Sequence, residues 1–353
     1  MTLTAQPPVA TMMRAAVIRQ YGPSDTLHVE EVPTPRPGPG ELLLHVAAVG
    51  LNHLDVFARQ GLTGPGVHGI RLPHVSGVDV AGVIATGPRA GERVLVDPAI
   101  GCGTCRQCRR GELSMCPNYT ILGEHRWGGL ADYVVVPASN VITLPAHIPF
   151  TQAAAVPAAY TTAWRGVITT GRLQPAERML VVGASGGVGC AALQIGVLLG
   201  AEVLALAGSE TKRKRAVELG AVAAFDSRGD WLAEVLAWTA GEGVDLVHDA
   251  VGAPTWRKSI GTLGMGGRMV ICGATGGDNP DLSIREIYQH HRQILGAPMG
   301  NWQDFLDVSR LVFNGQLQPE VHAVYPLDRL GEAEDALESR THFGKIVISV
   351  NPL

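Results

Sequence analysis

A glycine-rich turn between an apolar strand and a helix is the feature of this 353-residue sequence that most constrains its fold. The run MLVV at 179–182 leads into GASGGVG at 183–189, an apolar stretch follows to Leu199, and EVLALA occupies 202–207. Helical segments then alternate with short apolar runs at 223–225, 244–251 and 268–273. Strands that are apolar throughout and alternate with helices predict a doubly wound parallel α/β sheet, because helices cover both faces of such a sheet.

The N-terminal part of the chain has a different pattern. Short β-type runs are separated by glycine and proline clusters such as PTPRPGPG at 33–40, which predicts an irregular, largely antiparallel β domain. The runs lie at 15–18, 41–49, 78–85, 93–96 and 131–136. The segment 323–350 returns to a strand, a helix and a strand, so we expect the chain to re-enter this first domain.

The glycine turn also predicts a dinucleotide site. It lacks side chains where a strand ends and a helix begins, so the backbone can approach a pyrophosphate, whose charge the N–H groups and the helix dipole stabilise. A glycine turn can be purely structural, but this one opens a β-α-β unit, which favours binding. The residues concerned are Gly183, Gly186, Gly187, Val188 and Gly189.

The residues after the second strand of this unit favour NADP(H) over NAD(H). NAD-binding versions place an acid at the end of that strand, about 20 residues beyond the turn. Here the strand ends at Ala207, and Ser209, Lys212 and Arg213 follow, which would accommodate a 2′-phosphate. The alternative is that Ser209 caps the next helix and the basic run is a solvated face, and Glu210 lies among these residues.

Four of the six cysteines are clustered in GCGTCRQCRRGELSMC. Four thiolates in a short loop suit tetrahedral zinc, and a closed shell of four sulfurs leaves no position for a substrate. We therefore predict one structural zinc with the ligands Cys102, Cys105, Cys108 and Cys116. Disulfides are the first alternative, disfavoured by the clustering and by the expected cytoplasmic setting, and an iron–sulfur cluster is the second.

Charge and hydropathy disfavour several classes of protein. A net charge of −4 gives no general electrostatic reason to bind nucleic acid or an anionic membrane. Met1 to Met13 lacks a basic segment followed by an apolar run, so we expect no signal peptide. No uninterrupted apolar stretch reaches the roughly 18 residues of a membrane span. We expect a cytoplasmic protein that acts on a small molecule.

From about Arg14 onward, the order of these motifs resembles the medium-chain dehydrogenase/reductase superfamily. The terminal HFGKIVISV adds to the likeness. The segments most like zinc-binding dehydrogenases grouped with quinone oxidoreductases are GLNHLDVFARQG at 50–61, LPHVSGVDVAG at 72–82 and LGEHRWGGLADYVVVP at 122–137.

The resemblance implies a two-domain architecture. A GroES-like, β-rich catalytic domain would comprise 13–155 with 301–353, including a structural zinc lobe at 99–118. A Rossmann domain would comprise 156–300. The active site would lie in the cleft between the domains, and the chain would assemble into homodimers or homotetramers.

The chain departs from the alcohol dehydrogenase pattern where that family holds its catalytic zinc. Asn52 replaces the first ligand, Val78 replaces the histidine of a Gly-His-Glu triplet, and the third position falls near Pro157. Leu54 replaces the hydroxyl that relays the alcohol proton. Without zinc to stabilise an alkoxide, the hydride acceptor should delocalise its own charge, as quinones and α,β-unsaturated carbonyls do. The sequence therefore predicts an NADP(H)-dependent reductase of such substrates.

The resemblance also implies roles for single residues. Asn52 would face the nicotinamide and the substrate, to which it would donate a hydrogen bond, and Asp55 would anchor the hydrogen bonds of the site. His53 and Lys345 match basic positions that contact the pyrophosphate. A satisfied surface histidine and a purely structural aspartate are the alternatives for His53 and Asp55. The positions expected along the nicotinamide are Thr161, Gly273 and Ala274.

Two other functions stay open. The first is an alcohol or aldehyde dehydrogenase with an unorthodox catalytic metal. Its ligands would come from His45, His53, Asp55, His74, Asp79, Glu124 and His125. The second is a non-catalytic NADPH-binding protein, including one that binds nucleic acid, although the acidic net charge argues against that partner.

Overall fold

The computed structural model describes residues 9–61, 69–278, 280, 281 and 283–353. The chain forms two compact units, the first consisting of Met1–Ala158 with Val321–Leu353 and the second of Ala159–Glu320. Residues 1–8, which belong to the segment where we expect no signal peptide, lie outside the described residues. The chain leaves the first unit after Ala158 and returns to it at Val321.

The first unit is built on a mainly antiparallel sheet. Its main sheet has the strand order β16-β17-β3-β4-β5-β9, with β8 also paired to β3. Within the described ladders of this sheet only β16 and β17 run parallel. Numbered along the chain, the strands are β1 (Met12–Val17), β2 (His28–Pro33), β3 (Glu41–Gly50), β4 (Asp79–Ile84), β5 (Arg93–Val96), β6 (Ala99–Ile100), β7 (Thr120–Ile121), β8 (Tyr133–Pro137), β9 (Val141–Thr143), β16 (Val321–Pro326) and β17 (Lys345–Ser349).

The helices of the first unit include one that our sequence analysis did not predict. Helix α1 (His53–Gln60) begins where the Asn52 N–H donates to the Asp55 carboxylate at 2.8 Å, which satisfies one of the free N–H groups at a helix start. It ends at Gly61, whose φ of +70° glycine adopts without strain. The other helices are α2 (Phe150–Ala153), α10 (Leu330–Glu338) and α3 (Pro157–Trp164), which continues into the second unit.

The second unit is a doubly wound sheet. The strand order is β12-β11-β10-β13-β14-β15, and all the neighbouring pairs given by the described residues are parallel. The strands are β10 (Arg178–Val182), β11 (Glu202–Ala207), β12 (Ala223–Asp226), β13 (Val244–Asp249), β14 (Leu263–Ile271) and β15 (Gln293–Gly296). The helices are α4 (Gly187–Leu199), α5 (Glu210–Glu218), α6 (Trp231–Trp238), α7 (Ala253–Thr262), α8 (Ile284–Gln289) and α9 (Trp302–Phe313).

The strand order places a topological switch at β10. The chain proceeds outward from β10 through β11 to β12, then crosses back to β13 on the other side of β10. Leu180 of β10 and Leu246 of β13 are fully buried, as strands covered on both faces require. In such sheets, ligands bind beyond the carboxyl ends of the strands at this switch. The predicted fold class, α/β with a β-rich domain and a doubly wound parallel sheet, is confirmed.

The extent of the second unit differs from the predicted Rossmann domain at 156–300. The compact unit runs from Ala159 to Glu320, so residues 301–320 group with it rather than with the catalytic domain. Helix α9 contributes to the difference, because Asp304 in its first turn pairs with Arg165 at 3.4 Å and accepts the Thr169 hydroxyl, both residues of the second unit. In the parts of the chain that the structure describes, no helix is long and apolar enough to cross a membrane.

Candidate functional site

The four clustered cysteines form a compact group of sulfur ligands in the first unit. The Sγ atoms of Cys102, Cys105, Cys108 and Cys116 all lie within 4.8 Å of one another. Backbone N–H groups point at them: that of Cys105 donates to Cys102 Sγ at 3.4 Å, and that of Cys108 donates to Cys105 Sγ at 3.4 Å. The N–H groups of Cys102 and Asn118 donate to Cys116 Sγ at 3.4 and 3.3 Å.

These N–H···S contacts fit a bound metal ion. A thiolate accepts a hydrogen bond better than a thiol, so the donors favour the ionised sulfurs that zinc requires. Four mutually close thiolates would repel one another without a cation. The donor set and its compactness therefore fit a tetrahedral zinc held by four thiolates, a type that leaves no open position for chemistry.

The glycine turn in the second unit has the geometry of a pyrophosphate site. Gly183 has φ +75°, and Gly186 is the N-cap of the 13-residue helix α4. A Cβ at Gly189 would lie 2.2 Å from the Gly183 carbonyl oxygen, so this position requires glycine for close packing of helix against turn. A Cβ at Gly186 would have no neighbour nearer than 3.6 Å, so the space beside the turn is open. The turn therefore fits a dinucleotide phosphate.

Three residues are expected along the nicotinamide. Two of them, Gly273 and Ala274, follow the carboxyl end of β14, and the third, Thr161, has a hydroxyl without a partner among the described residues. Gly273 follows β14, and a Cβ there would lie 3.2 Å from the Ala250 carbonyl oxygen, just beyond the end of β13. Ala274, the next residue, packs beside Gly252, which precedes α7. The Thr161 hydroxyl is buried and has no hydrogen-bond partner within the described residues. Such an orphaned hydroxyl fits a site that a polar ligand completes.

The predicted 2′-phosphate residues occupy the start of helix α5. Ser209 is its N-cap, and its hydroxyl accepts the Lys212 N–H at 3.3 Å, so the structure shows the helix cap that the alternative interpretation expected. Arg213 forms an ion pair with Asp226 at 2.8 Å. Asp226 is the last residue of β12 and pairs in register with Ala207, the last residue of β11. Strand β11 has no acidic residue at its end, but Asp226 at the end of the adjacent strand β12 lies beside that position.

Arg228 is a basic residue of this region that sequence reasoning missed. A Cβ at Gly208, the residue after β11, would lie 3.7 Å from Arg228 Nε. Burial and then the positive charge of Arg228 lower the pKa of Lys212. Arg213 and Arg228 thus lie beside one carboxylate, that of Asp226, at 2.8 and 4.0 Å, and Lys212 lies near Arg228. The signal was available: adjacent parallel strands end at one edge, so a basic residue two positions after β12 lies near the end of β11.

In the first unit, Asn52 and Asp55 form the start of α1. The Asp55 carboxylate accepts the Asn52 N–H and, through its other oxygen, the Gly77 N–H, both at 2.8 Å. It therefore joins the segment before α1 to the segment before β4. Asp55 is fully buried, and burial raises its pKa to about 6, against the effect of the two backbone donors.

Asn52 also belongs to a buried network with Asp79 and Lys345. The Asn52 Nδ2 donates to Asp79 Oδ2 at 3.0 Å and to the Gly50 carbonyl at 3.2 Å, while its Oδ1 accepts the Lys345 Nζ at 2.7 Å. Lys345 Nζ also donates to Asp79 Oδ2 at 3.0 Å. The other Asp79 oxygen accepts the Ala158 N–H at 2.7 Å. Asp79 is completely buried and Lys345 is 5% exposed. Sequence reasoning named Asp79 only as a metal candidate and missed this network.

The three positions at which zinc alcohol dehydrogenases hold their catalytic metal adjoin this network. Asn52 is part of it, Val78 precedes Asp79, and Pro157 precedes Ala158. Val78 is fully buried, and Pro157 is the first residue of α3. Neither valine nor proline has a side-chain donor atom, so two of the three positions offer no ligand.

His53 lies beside two cations. Burial, followed by the charges of Arg340 and Lys345, lowers its pKa to about 4. The ring is therefore neutral near pH 7, and it would donate a hydrogen bond rather than carry a charge to a phosphate.

Three of the histidines proposed for an unorthodox metal have partners within the protein, and one of them, His125, lies 3.6 Å from the carboxylate of Glu124, another candidate. His45 stacks on Tyr133, and His74 Nε2 lies 2.9 Å from the Gly123 carbonyl oxygen. His125 Nδ1 accepts the Ile121 N–H at 3.1 Å. Among the residues that the structure describes, the four cysteines are the group that meets the geometry of a metal site.

Comparison with known proteins agrees with the two units. Residues 38–146 match the alcohol dehydrogenase GroES-like domain, and residues 187–314 match the zinc-binding dehydrogenase domain. An NAD-dependent alcohol dehydrogenase of Sulfolobus acidocaldarius is 30% identical over 348 residues, covering 96% of this chain and 100% of the relative. An acryloyl-coenzyme A reductase of Sulfurisphaera tokodaii is 27% identical over 339 residues, covering 95% and 99%.

A solved structure extends the likeness to three dimensions. A crystal structure of an NAD-dependent alcohol dehydrogenase has a TM-score of 0.91 and 40% identity, covering 96% of this chain and all of that one. A GroES-like unit with a Rossmann unit defines a class of two-domain oxidoreductases. The chain belongs to the medium-chain dehydrogenase/reductase superfamily, among the zinc-type alcohol dehydrogenases and quinone oxidoreductases.

Proposed function

We propose that this oxidoreductase uses NADPH to reduce a quinone or an α,β-unsaturated carbonyl compound, and that its one zinc is structural. The observation that carries the proposal is the set of side chains at the family's catalytic-metal positions. Val78 and Pro157 have no donor atom, and Asn52 is bound into the network with Asp79 and Lys345. A reaction that needs a metal to stabilise an alkoxide is therefore poorly supported at these positions.

A conjugated substrate would itself delocalise the negative charge that a catalytic metal would otherwise stabilise. NADPH, when bound, supplies a hydride. A conjugated carbonyl that accepts the hydride spreads the negative charge onto its oxygen as an enolate, so the protein needs to orient it and to stabilise one oxygen. The acryloyl-coenzyme A reductase relative, by its name, acts on a conjugated substrate of this kind.

The residues that would hold NADPH are in the second unit. The turn at Gly183–Gly189 would receive the pyrophosphate, and the Thr161 hydroxyl is the orphaned donor for the nicotinamide end. Arg213 and Arg228 share a single carboxylate, that of Asp226, which leaves an excess of positive charge where a 2′-phosphate would lie, and Lys212 is close to Arg228. This excess favours NADPH over NADH.

The second candidate is NAD-dependent alcohol oxidation, which the names of the S. acidocaldarius relative and of the solved structure favour. It would require a metal ligand set other than the family's usual one. Among the described residues the candidate histidines and acids do not meet the geometry of a metal site, which weighs against that set.

Activity measurements separate the two candidates. We expect NADPH-dependent reduction of 2-cyclohexen-1-one or a benzoquinone by the zinc-loaded protein, and negligible oxidation of ethanol or benzyl alcohol with either cofactor. Alcohol oxidation that a chelator abolishes and zinc restores would establish the second candidate. Binding of NADPH without turnover on the whole panel would leave a cofactor-binding protein.

Cofactor preference has its own test. Lys212→Ala and Arg228→Ala should each weaken NADPH binding about tenfold or more and leave NADH binding nearly unchanged, because only NADPH carries the extra phosphate. Lys214→Ala is the matched control, since Lys214 is an exposed residue of the same helix that pairs with Glu210 at 2.7 Å. Equal losses for both cofactors would mean that the basic residues are only a solvated face.

A further inference from the structure

The carboxylate of Asp226 is bound to arginines that lie where a 2′-phosphate is expected. Arg213 Nη1 lies 2.8 Å from Asp226 Oδ2, and Arg228 Nε lies 4.0 Å from Oδ1. The Arg228 N–H also donates to Oδ1 at 2.9 Å. Arg213 Nη1 in addition donates to the Ala207 carbonyl at 3.4 Å. This group of charges therefore bridges the ends of β11 and β12, at the edge of the sheet where Rossmann folds bind the ribose of the cofactor.

Asp226 carries a negative charge at neutral pH. The hydrogen bond from the Arg228 N–H, followed by the positive charge of Arg213, lowers the pKa of this carboxyl below its ordinary value. Glu210, the acid at the start of α5, pairs with Lys214 at 2.7 Å. Asp226, rather than Glu210, is thus the anion beside the two arginines.

A 2′-phosphate would bind the same cations. A phosphate monoester carries about two negative charges at neutral pH, and arginine binds it through its N–H groups. Arg213 Nη1 is already directed at Asp226 Oδ2 and the Ala207 carbonyl. The phosphate and the carboxylate would therefore lie against the same guanidinium groups and repel each other. The ribose of NADH carries an uncharged hydroxyl at this position, so the carboxylate does not repel it.

The opposite effect, in which Asp226 helps by holding Arg213 in place, is the weaker one. The side chains of Arg213 and Asp226 are 24% and 40% exposed, and ion pairs open to solvent contribute little to fixing a side chain. Arg213 also keeps its contact with the Ala207 carbonyl, which does not depend on Asp226. Repulsion of a doubly charged phosphate therefore outweighs the ordering of one arginine.

We propose that Asp226 sets the cofactor preference of this protein, because its carboxylate competes with the 2′-phosphate of NADPH for Arg213 and Arg228. The inference rests on the proposed function, which takes NADPH as the cofactor. Binding of NADPH is then an exchange of anions on these cations, with no covalent bond made or broken. Asp226 lowers the affinity for NADPH and leaves that for NADH unchanged. The preference for NADPH is therefore smaller than the two arginines alone would give.

The test is Asp226→Asn in the full-length, zinc-loaded protein. Asparagine removes the charge and keeps an oxygen that can accept the Arg228 N–H, so the turn after β12 is preserved. The matched control is Glu218→Gln, which removes a carboxylate paired with Arg215 at 2.8 Å, at the other end of α5. The readouts are the Kd values of NADPH and NADH by fluorescence, and those of adenosine 2′,5′-bisphosphate and 5′-AMP by calorimetry. The last two ligands differ only in the 2′-phosphate and need no nicotinamide site.

Competition predicts that Asp226→Asn binds NADPH and the bisphosphate about three- to tenfold more tightly than the wild type does. The Kd values of NADH and 5′-AMP should change by less than about twofold, as should all four values in Glu218→Gln. The gain in affinity should shrink at high salt, because both anions are partly open to solvent.

Other results would overturn the proposal. Unchanged ratios of the Kd values would show that the carboxylate does not compete. Weaker binding of NADPH would make Asp226 a residue that positions Arg213, and weaker binding of NADH alone would make it an acceptor for the ribose hydroxyl. Absence of bisphosphate binding by both the wild type and Asp226→Asn would refute the 2′-phosphate site together with this proposal. A wild type that reduces no enone would refute the proposed function, whereas the ratio of the bisphosphate and 5′-AMP Kd values would still test Asp226.

Discussion

Two glycines of the cofactor turn should respond to the same substitution in opposite ways. At Gly189 an alanine Cβ would lie 2.2 Å from the Gly183 carbonyl oxygen and 2.8 Å from its carbon. Both obstacles are backbone atoms, so α4 or the turn must move by about 1 Å to restore a normal contact. At Gly186 the nearest atom would be 3.6 Å away, and the φ of −80° and ψ of 167° suit alanine. Gly186→Ala therefore fills only the space proposed for the phosphate.

The expected magnitudes follow from these distances. Overpacking of this kind costs about 1–3 kcal/mol, and a unit of this size loses about 2–4 °C in Tm per kcal/mol, so Gly189→Ala should lower Tm by several degrees. Gly186→Ala loses a little as a helix N-cap and gains a little from the lower entropy of the unfolded chain, so its Tm should change by less than about 2 °C. Its NADPH Kd should rise at least about tenfold, or 1.4 kcal/mol.

Thermal unfolding with and without NADPH measures both effects. The stabilisation by saturating NADPH should shrink in Gly186→Ala by the amount that its Kd predicts. Gly186→Ala with wild-type affinity would show that this turn does not receive the pyrophosphate. Gly189→Ala with wild-type Tm would show that the close packing of helix and turn is not a constraint.

Three further results are expected. Cys105→Ser should reduce the zinc content from about one per chain to near zero and lower Tm, because a zinc bound by four thiolates contributes to folding; two metals per chain by elemental analysis would contradict a single structural site. In the folded state Asp55 keeps its proton up to a pKa of about 6. Its protonation therefore adds about 3 kcal/mol to the free energy of unfolding below about pH 4, and this contribution is lost as the pH rises through 6. Asp55→Asn should flatten this part of the stability profile in urea unfolding, and an unchanged slope would refute the assignment. Strand β15 is an edge of the described sheet, so we expect a homodimer, and a monomeric mass by light scattering at micromolar concentration would exclude it.

The second unit was the easier one to predict because its signals are local. EVLALA at 202–207 is observed as β11 (Glu202–Ala207), since an unbroken apolar run has one way to be buried in a parallel sheet. Helix α9 was assigned to the wrong side of the domain boundary because its apolar face does not reveal which core covers it. Helix α1 was missed although Asn52 and Asp55 have the spacing of a capping pair.

The side-chain partners in the candidate site could not be predicted from the sequence. Asp226 is 13 residues from Arg213 in the chain, and only the parallel register of β11 and β12 brings them together. Lys345 and Asn52 are 293 residues apart and meet because β17 pairs with β3. Motif spacing identifies which residues carry the chemistry, whereas the hydrogen bonds that set their orientation depend on packing.

The discontinuity of the first unit has a consequence for the order in which the protein can fold during synthesis. Strand β17 lies between β16 and β3 in the main sheet, yet the ribosome makes it only after the whole of Ala159–Glu320. The nascent chain can thus bury the core of the second unit while β3 still has an unpaired edge. Asp79 meets its counter-ion only when Lys345 has been synthesised, so the carboxylate stays without that partner until the sheet closes. The step that completes the fold of the first unit is therefore the same step that brings the Lys345 charge into the candidate site.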